Sequence, residues 1–201
     1  EHGWSDVTVV RNTFPLRGEH PPVPERPTGL VYAGRIAAYR ELETIAAASR
    51  LVDLPITLCG PADQTWLTSF DPGRATVLGA LPLDEAAALM SAAGLALVTH
   101  SDKWANHRLA LPNKLFHAVS LGLPVVATDI GELAKVVREH DLGTLYTPSD
   151  PEDLARAIRD VVADFPRYVC NVETARPALC WDADAARLRA VYEKLAAAPA
   201  A

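Results

Sequence analysis

Lys114, Arg35 and Arg40 are the side chains whose setting could hold an anion. Lys114 lies in residues 111–128, Leu-Pro-Asn-Lys-Leu-Phe-His-Ala-Val-Ser-Leu-Gly-Leu-Pro-Val-Val-Ala-Thr, which parse as loop, helix, tight turn and buried strand. Asn113 is expected to cap that helix, and Leu115, Phe116 and Val119 share one of its faces. Gly122 stops it, and Pro124 cannot continue it. A helix start carries unpaired N–H groups and a partial positive charge, to which Lys114 adds a full one. Arg35 and Arg40 follow the apolar run Leu30-Val31-Tyr32-Ala33-Gly34. Gly34 lets a ligand come close to the backbone, and arginine forks onto phosphate oxygens. The plainer reading is an exposed lysine on a helix–strand unit, with two solvated arginines flanking a helix start.

Those residues need a frame, and the hydrophobic pattern supplies one. Residues 29–34 read as a strand, and residues 41–51 as a helix with Leu42, Ile45, Ala46 and Ser49 on one side. A strand at 56–59 stops at Gly60-Pro61, and a helix is expected over 62–70. Residues 76–78 form a third strand, Asp84 caps a helix over 85–93, and a fourth strand covers 95–98. The polar loop 99–111 then leads into the Lys114 helix and the strand at 125–127. A helix over 132–140 is ended by Gly143, and residues 144–146 are a last short strand. Ser149-Asp150-Pro151-Glu152 is a helix start, with Leu154, Ile158 and Val161 on the inner face as far as residue 164. Past Pro166 the periodicity weakens until a terminal helix over 183–195, with Leu188, Val191, Tyr192 and Leu195 on one stripe. Residues 196–201 are a small-residue tail expected to fray.

Strands alternating with helices give an α/β, Rossmann-like doubly wound parallel sheet. In such sheets, ligands gather in loops at the carboxyl ends of strands.

The chain has 201 residues, 49% hydrophobic and 22% charged, enough for one domain with a substantial core. Its net charge of −6 argues against nucleic acid or an anionic membrane as a partner for the whole surface. No apolar run approaches the roughly 20 residues that cross a bilayer. Glu1-His2-Gly3-Trp4 lacks the charged start and apolar core of a signal peptide. Cys59, Cys170 and Cys180 show no metal-ligand spacing, and a reducing cytoplasm is the simpler assignment, with a Cys170–Cys180 disulfide left open. Gly-x-Gly-x-x-Gly, Gly-x4-Gly-Lys-Ser/Thr and Gly-x-Ser-x-Gly are all absent.

Residues 112–128 resemble the Pro-Asn-Lys-Leu-Phe-Glu-Tyr-Met-Ala-x-Gly-x-Pro-Val-Val-Ala signature in the nucleotide-sugar domain of family 4 glycosyltransferases, which have the GT-B fold. Gly34-Arg35 with Arg40 resembles the family's Gly-Arg-x4-Lys-Gly, whose basic residues neutralise the donor diphosphate; here Arg40 replaces the lysine and Glu41 the second glycine. Gly60-Pro61 is similar to the family's Gly-x-Gly-Pro near the base, one glycine short. Ser101 aligns with a Pro-Ser segment facing the donor. The family's Glu-x7-Glu pair falls on Leu109 and His117, and neither is acidic. A neutral histidine offers a ribose one acceptor nitrogen where a carboxylate offers two oxygens. His117 is therefore either a weakened ribose contact or a histidine packed on its helix.

The resemblance implies transfer of a sugar from a UDP- or GDP-linked donor, with retention, by stabilising the leaving diphosphate. Arg35, Arg40 and Lys114 would supply the charge. Gly34, Gly60, Ser101, Asn113, Lys114 and His117 would bind the nucleotide. No cofactor or metal is implied, and the spacing of His100, Asp102 and His107 gives no independent warrant for one. Residues 1–28, a short strand at 7–10 followed by a proline-rich stretch at 21–27, would be the end of a missing N-terminal domain and a linker. Residues 29–182 would be the donor domain and 183–201 a terminal helix and tail. The missing half would hold the acceptor, so this fragment alone is not expected to turn over. The protein would be cytoplasmic, or peripheral at the inner membrane through that half. A nucleotide-sugar epimerase of the same architecture and a degenerate binding module are the alternatives.

Overall fold

Six short apolar runs build one sheet in the computed structural model, which describes residues 7–16 and 21–197. They are β1 (Gly29–Ala33), β2 (Ile56–Cys59), β3 (Thr76–Leu78), β4 (Gly94–Val98), β5 (Val125–Thr128) and β6 (Gly143–Tyr146). Every neighbouring pair is parallel, in the order β3-β2-β1-β4-β5-β6. Leu30 stands opposite Leu95, and Ala96 opposite Val125. All five residues of β4 and all four of β5 are buried, as expected of strands covered on both faces.

The two-residue strand period sorts side chains between two cores. Leu30, Tyr32, Leu95 and Leu97 face α1 (Leu42–Ala48) and α7 (Pro151–Ala163). Val31, Ala96, Val98 and Val125 face α3 (Leu83–Ala93), α5 (Asn113–Ser120) and α6 (Gly131–His140). Asp150 caps α7 by accepting a bond from the Asp153 N–H at 2.9 Å, with Pro151 in the first turn. The expected α/β parallel sheet is present.

Several local expectations give way. Residues 7–10 form no strand; among the described residues nothing pairs with them, and an unpaired strand is not stable alone. The helix expected over 62–70 shrinks to α2 (Gln64–Leu67), which fully buries no residue and packs on the core only through the partly buried Trp66 and Leu67, too little to extend it. Asp84 does not cap α3; it lies in the first turn, with Pro82 at the cap. Loop 99–111 contains a short helix, α4 (Ala105–Leu109). Gly143 does not end α6. Asp141, at φ 48°, does so, and Gly143 opens β6 where a Cβ would lie 1.9 Å from the Val125 carbonyl oxygen. Past Pro166 the chain is helical: α8 (Phe165–Ala175) tolerates proline in its first turn and buries Phe165, Tyr168 and Val172.

The terminal helix is longer than expected, α9 (Trp181–Ala197). Its stripe is not core: Tyr192 and Leu195 stay about two-thirds exposed, at 66% and 65%. Gly18, part of the early segment, and the tail beyond residue 197 lie outside the described residues. Cys59, Cys170 and Cys180 are all free thiols.

Gly60 joins the ends of β2 and β1. Its φ is 142°, and a Cβ there would sit 2.0 Å from the Gly34 carbonyl oxygen. Gly60→Ala is expected to cost about 2 kcal/mol or more in urea unfolding, because backbone rather than a movable side chain blocks the methyl. A loss below about 0.5 kcal/mol would show that the two strand ends separate freely.

Candidate functional site

The strand order reverses between β1 and β4, and the loops leaving these strands diverge there to open a crevice. Three pieces of chain meet at it: Gly34 to Glu41 after β1, Thr99 to Ser101 after β4, and the first turn of α5. Lys114 comes from that turn. Its ammonium lies 5.2 Å from the centroid of the Tyr32 ring. Gly34 makes the seat, since a Cβ there would fall 2.3 Å from Lys114 Cε and 3.0 Å from Nζ. Burial, then the nearby charge of Arg40, lowers the lysine to about 8.

Arg40 is half-buried. Its guanidinium stacks 5.1 Å from the Tyr39 ring centroid, and its Nε is buried with no hydrogen-bond partner. Its backbone carbonyl accepts a bond from the Thr99 hydroxyl at 3.1 Å, tying the β1 loop to the β4 end. Neither Arg40 nor Lys114 is paired with a carboxylate among the described residues. Of the three expected basic residues, the structure brings these two together. Arg35 has an exposed side chain, and its carbonyl accepts from the Tyr32 hydroxyl at 2.9 Å.

Glu41 fixes the far end of the β1 loop. It is buried at φ 59°, a conformation that favours glycine. Its carboxylate accepts from the Ser149 N–H at 2.7 Å and the Thr44 hydroxyl at 3.2 Å. These bonds hold the strained residue in place and keep its charge turned toward α7 rather than toward Arg40.

On the β4 side, His100 donates its backbone N–H to Thr128 Oγ1 at 2.8 Å. The His100 and His107 rings stack at 4.6 Å, each with its Nδ1 within 3.0 Å of a backbone carbonyl oxygen. Burial lowers the His100 pKa first, with smaller contributions from neighbouring charges that include Lys114 and Arg40. Ser101 is buried, and its hydroxyl accepts from the Lys103 N–H at 3.2 Å.

Asn113 is not the cap of α5. It is the first helical residue, Pro112 holds the cap position, and the Asn113 side-chain oxygen accepts from Asn12 at 3.1 Å. One turn on, the His117 ring stacks on Phe14 at 4.9 Å and 19°, and burial lowers its pKa. Residues 12–16 thus form a strap across α5. They are pinned to α9 by the Thr13 hydroxyl on the fully buried Asp184 at 2.9 Å and by the Trp181 N–H on the Phe14 carbonyl at 2.9 Å. A cleft of about 460 Å³ lies beside the strap, lined by Phe14, Leu83, Ala87, His117 and Leu121 among others. Neither the strap nor Tyr32 as a floor was legible in the sequence, where the one hint was an aromatic in an otherwise apolar strand.

The arrangement suits an anion: Lys114 and Arg40 are close enough to feel each other's charge, and Lys114 stands in the first turn of α5, whose N-terminus carries a partial positive charge. Lys114→Met tests the charge. The lysine pKa is lower folded than unfolded, so the ammonium costs stability below about pH 8, and that cost fades as pH rises from about 8 toward 10.5. The variant is expected to exceed the parent in urea stability by about 2 kcal/mol at neutral pH, allowing for solvent screening, with the gap closing in alkali. A variant less stable than the parent at neutral pH would mean that charge burial is not what limits this site.

The fold and crevice have counterparts. A sucrose-phosphate synthase from Thermosynechococcus elongatus superimposes with a TM-score of 0.64 at 25% identity, over 86% of this chain and 46% of that one. The Anabaena protein HepE, solved with UDP-glucose, superimposes at 0.65 and 17% identity, over 86% of this chain and 49% of its own. A glycogen synthase of Mycobacterium tuberculosis is 27% identical over 200 residues, covering 90% of this chain and 46% of the relative. The chain therefore spans about half the length of these proteins. These matches give the epimerase reading no support. The family model described as glycosyl transferases group 1 matches residues 27–164, from the approach to β1 to the end of α7. The chain belongs to that glycosyltransferase family.

Proposed function

We propose that this domain binds the diphosphate of a nucleotide-sugar donor, and that the whole enzyme transfers the sugar to an acceptor with retention. The observation that carries this reading is the Arg40–Lys114 pair, two cations close enough to feel each other's charge, with no carboxylate partner among the described residues and one guanidinium nitrogen unsatisfied. Lys114 and Arg40 would neutralise charge growing on the leaving diphosphate, where a preformed field acts without reorganising. Arg35, at the exposed rim, would meet the outer phosphate. Gly34 and the N–H groups behind Asn113 would let the phosphates come near the backbone. Gly60 would lie by the base, Ser101 by the donor sugar, and His117 by the ribose, contributing one acceptor nitrogen.

The donor being UDP- or GDP-linked belongs to the same proposal; HepE was solved with UDP and with UDP-glucose. The acceptor would be held by another half of the protein. The groove lined by Val10 with Leu188, Val191 and Leu195 of α9 offers an apolar face for such a neighbour. No helix among the described residues is long and apolar enough to cross a membrane. We place the enzyme in the cytoplasm, in contact with the inner membrane only through that other half.

Calorimetric titration with UDP and GDP is the test. Lys114→Met and Arg40→Met are each expected to weaken the better nucleotide by about tenfold to a hundredfold, the worth of one charge-assisted hydrogen bond. Binding equal to the parent in both variants would remove the diphosphate from this crevice. Because Lys114 must be protonated, parent affinity should also decline as pH passes about 8. His117→Glu is expected to tighten binding by about tenfold by restoring two acceptor oxygens. Unchanged or weaker affinity would take His117 away from the ribose.

A further inference from the structure

Beside the phosphate crevice lies a second concavity that the donor reading leaves unused. It has a volume of about 430 Å³ and is lined by Tyr39, Trp104, Asn106 and His107. Trp104 is 55% exposed and Tyr39 42% exposed. Large aromatic surface left in water is the informative exception to burial, and two such rings on one concavity call for a ligand. Both rings come from separate loops, one after β1 and one after β4. The cleft therefore straddles the same switch point as the phosphate crevice.

We infer that Tyr39 and Trp104 form a platform for a saccharide ring, with Asn106 and His107 as its polar partners. This rests on the nucleotide-sugar reading above and adds a subsite to it. The chemistry fits a pyranose better than a purely apolar ligand. One face of a pyranose presents weakly positive C–H groups, which lie flat against the negative face of an aromatic ring. Its rim carries hydroxyls that both donate and accept. The Asn106 amide can do both, and its side chain forms no hydrogen bond among the described residues. His107 has its Nδ1 bound to Ser101 backbone groups, so Nε2 is left for a ligand.

Position supports the same assignment. Tyr39 carries the Arg40 guanidinium 5.1 Å from its ring centroid, and His107 stacks at 4.6 Å on His100, whose titration feels Lys114 and Arg40. Tyr39 thus touches Arg40 directly, and His107 is linked to the charged pair through His100. A sugar joined to a diphosphate on Lys114, or a sugar waiting to receive it, would reach these rings. The two sources share one chemistry, a hexopyranose.

The test uses this chain in solution, with its amide and indole N–H resonances followed by NMR. The Trp104 indole signal is identified from its loss in Trp104→Phe. UDP, UDP-glucose and methyl α-glucoside, the last in the presence of UDP, are titrated separately. A Trp104 shift with UDP-glucose beyond that with UDP marks the donor ring. A shift with the free glucoside marks the acceptor ring. Either supports the platform, and Tyr39→Ala should then weaken the responding saccharide by at least about threefold. A Trp104 signal unmoved by both sugars overturns it. The backbone amides of Asn113, Lys114 and Leu115 answer a different question in the same spectra. If they ignore UDP, the diphosphate reading fails on its own, and the glucoside response still decides the platform.

Discussion

Two like charges held near each other, with no opposite charge among the described residues to quiet them, are what this domain is built to tolerate. Lys114 is mostly withdrawn from water beneath Tyr32 and close to Arg40, so it titrates near 8 rather than 10.5. That is an unfavourable arrangement in an empty protein, and it becomes favourable when an anion arrives. Much of the surrounding structure follows from keeping the arrangement in place. Gly34 has no Cβ because the lysine stem fills that space. Thr99 bonds the Arg40 backbone, so the guanidinium cannot swing away with its loop. Glu41, the nearest carboxylate in sequence, is held by Ser149 and Thr44 and is thereby kept from the arginine next to it.

The frame was legible in the sequence because it is written in short-range signals. Apolar runs bounded by Gly60, Pro124 and Pro55 located the strands, and Asp150-Pro151 located a helix start. Lys114, Gly34 and Arg40 were visible because each sits at such a punctuation mark. The misses have a common cause: they depend on residues far apart in the chain. The strap residues Asn12 and Phe14 meet Asn113 and His117 across about a hundred positions, so periodicity has nothing to report. Asp141 ended α6 in a left-handed conformation that glycine would ordinarily take, which shifted the expected stop to Gly143. The helix after Pro166 was missed because the apolar periodicity weakens there, although Phe165, Tyr168 and Val172 fall on its buried face.

His117 shows how context changes a residue's options. In sequence it is a histidine where the resembling family has glutamate. In the fold it lies against a phenyl ring, one turn from a buried ammonium, in surroundings that favour its neutral form. With no ribose to bond, a carboxylate stacked on Phe14 would lose hydration with nothing gained from the ring face, whereas an imidazole is at ease there. The substitution and the strap therefore make sense together.

The strap and α9 have a mechanical consequence. Phe14 and Thr13 are fastened to Trp181 and Asp184, and the groove that follows runs between Thr8 and Val10 on one side and Leu188 and Val191 on the other. The first and last described segments therefore leave the domain side by side. Any body joined at both places would swing about a single line rather than being held at two opposite poles, and its motion would pull first on the ring that touches His117.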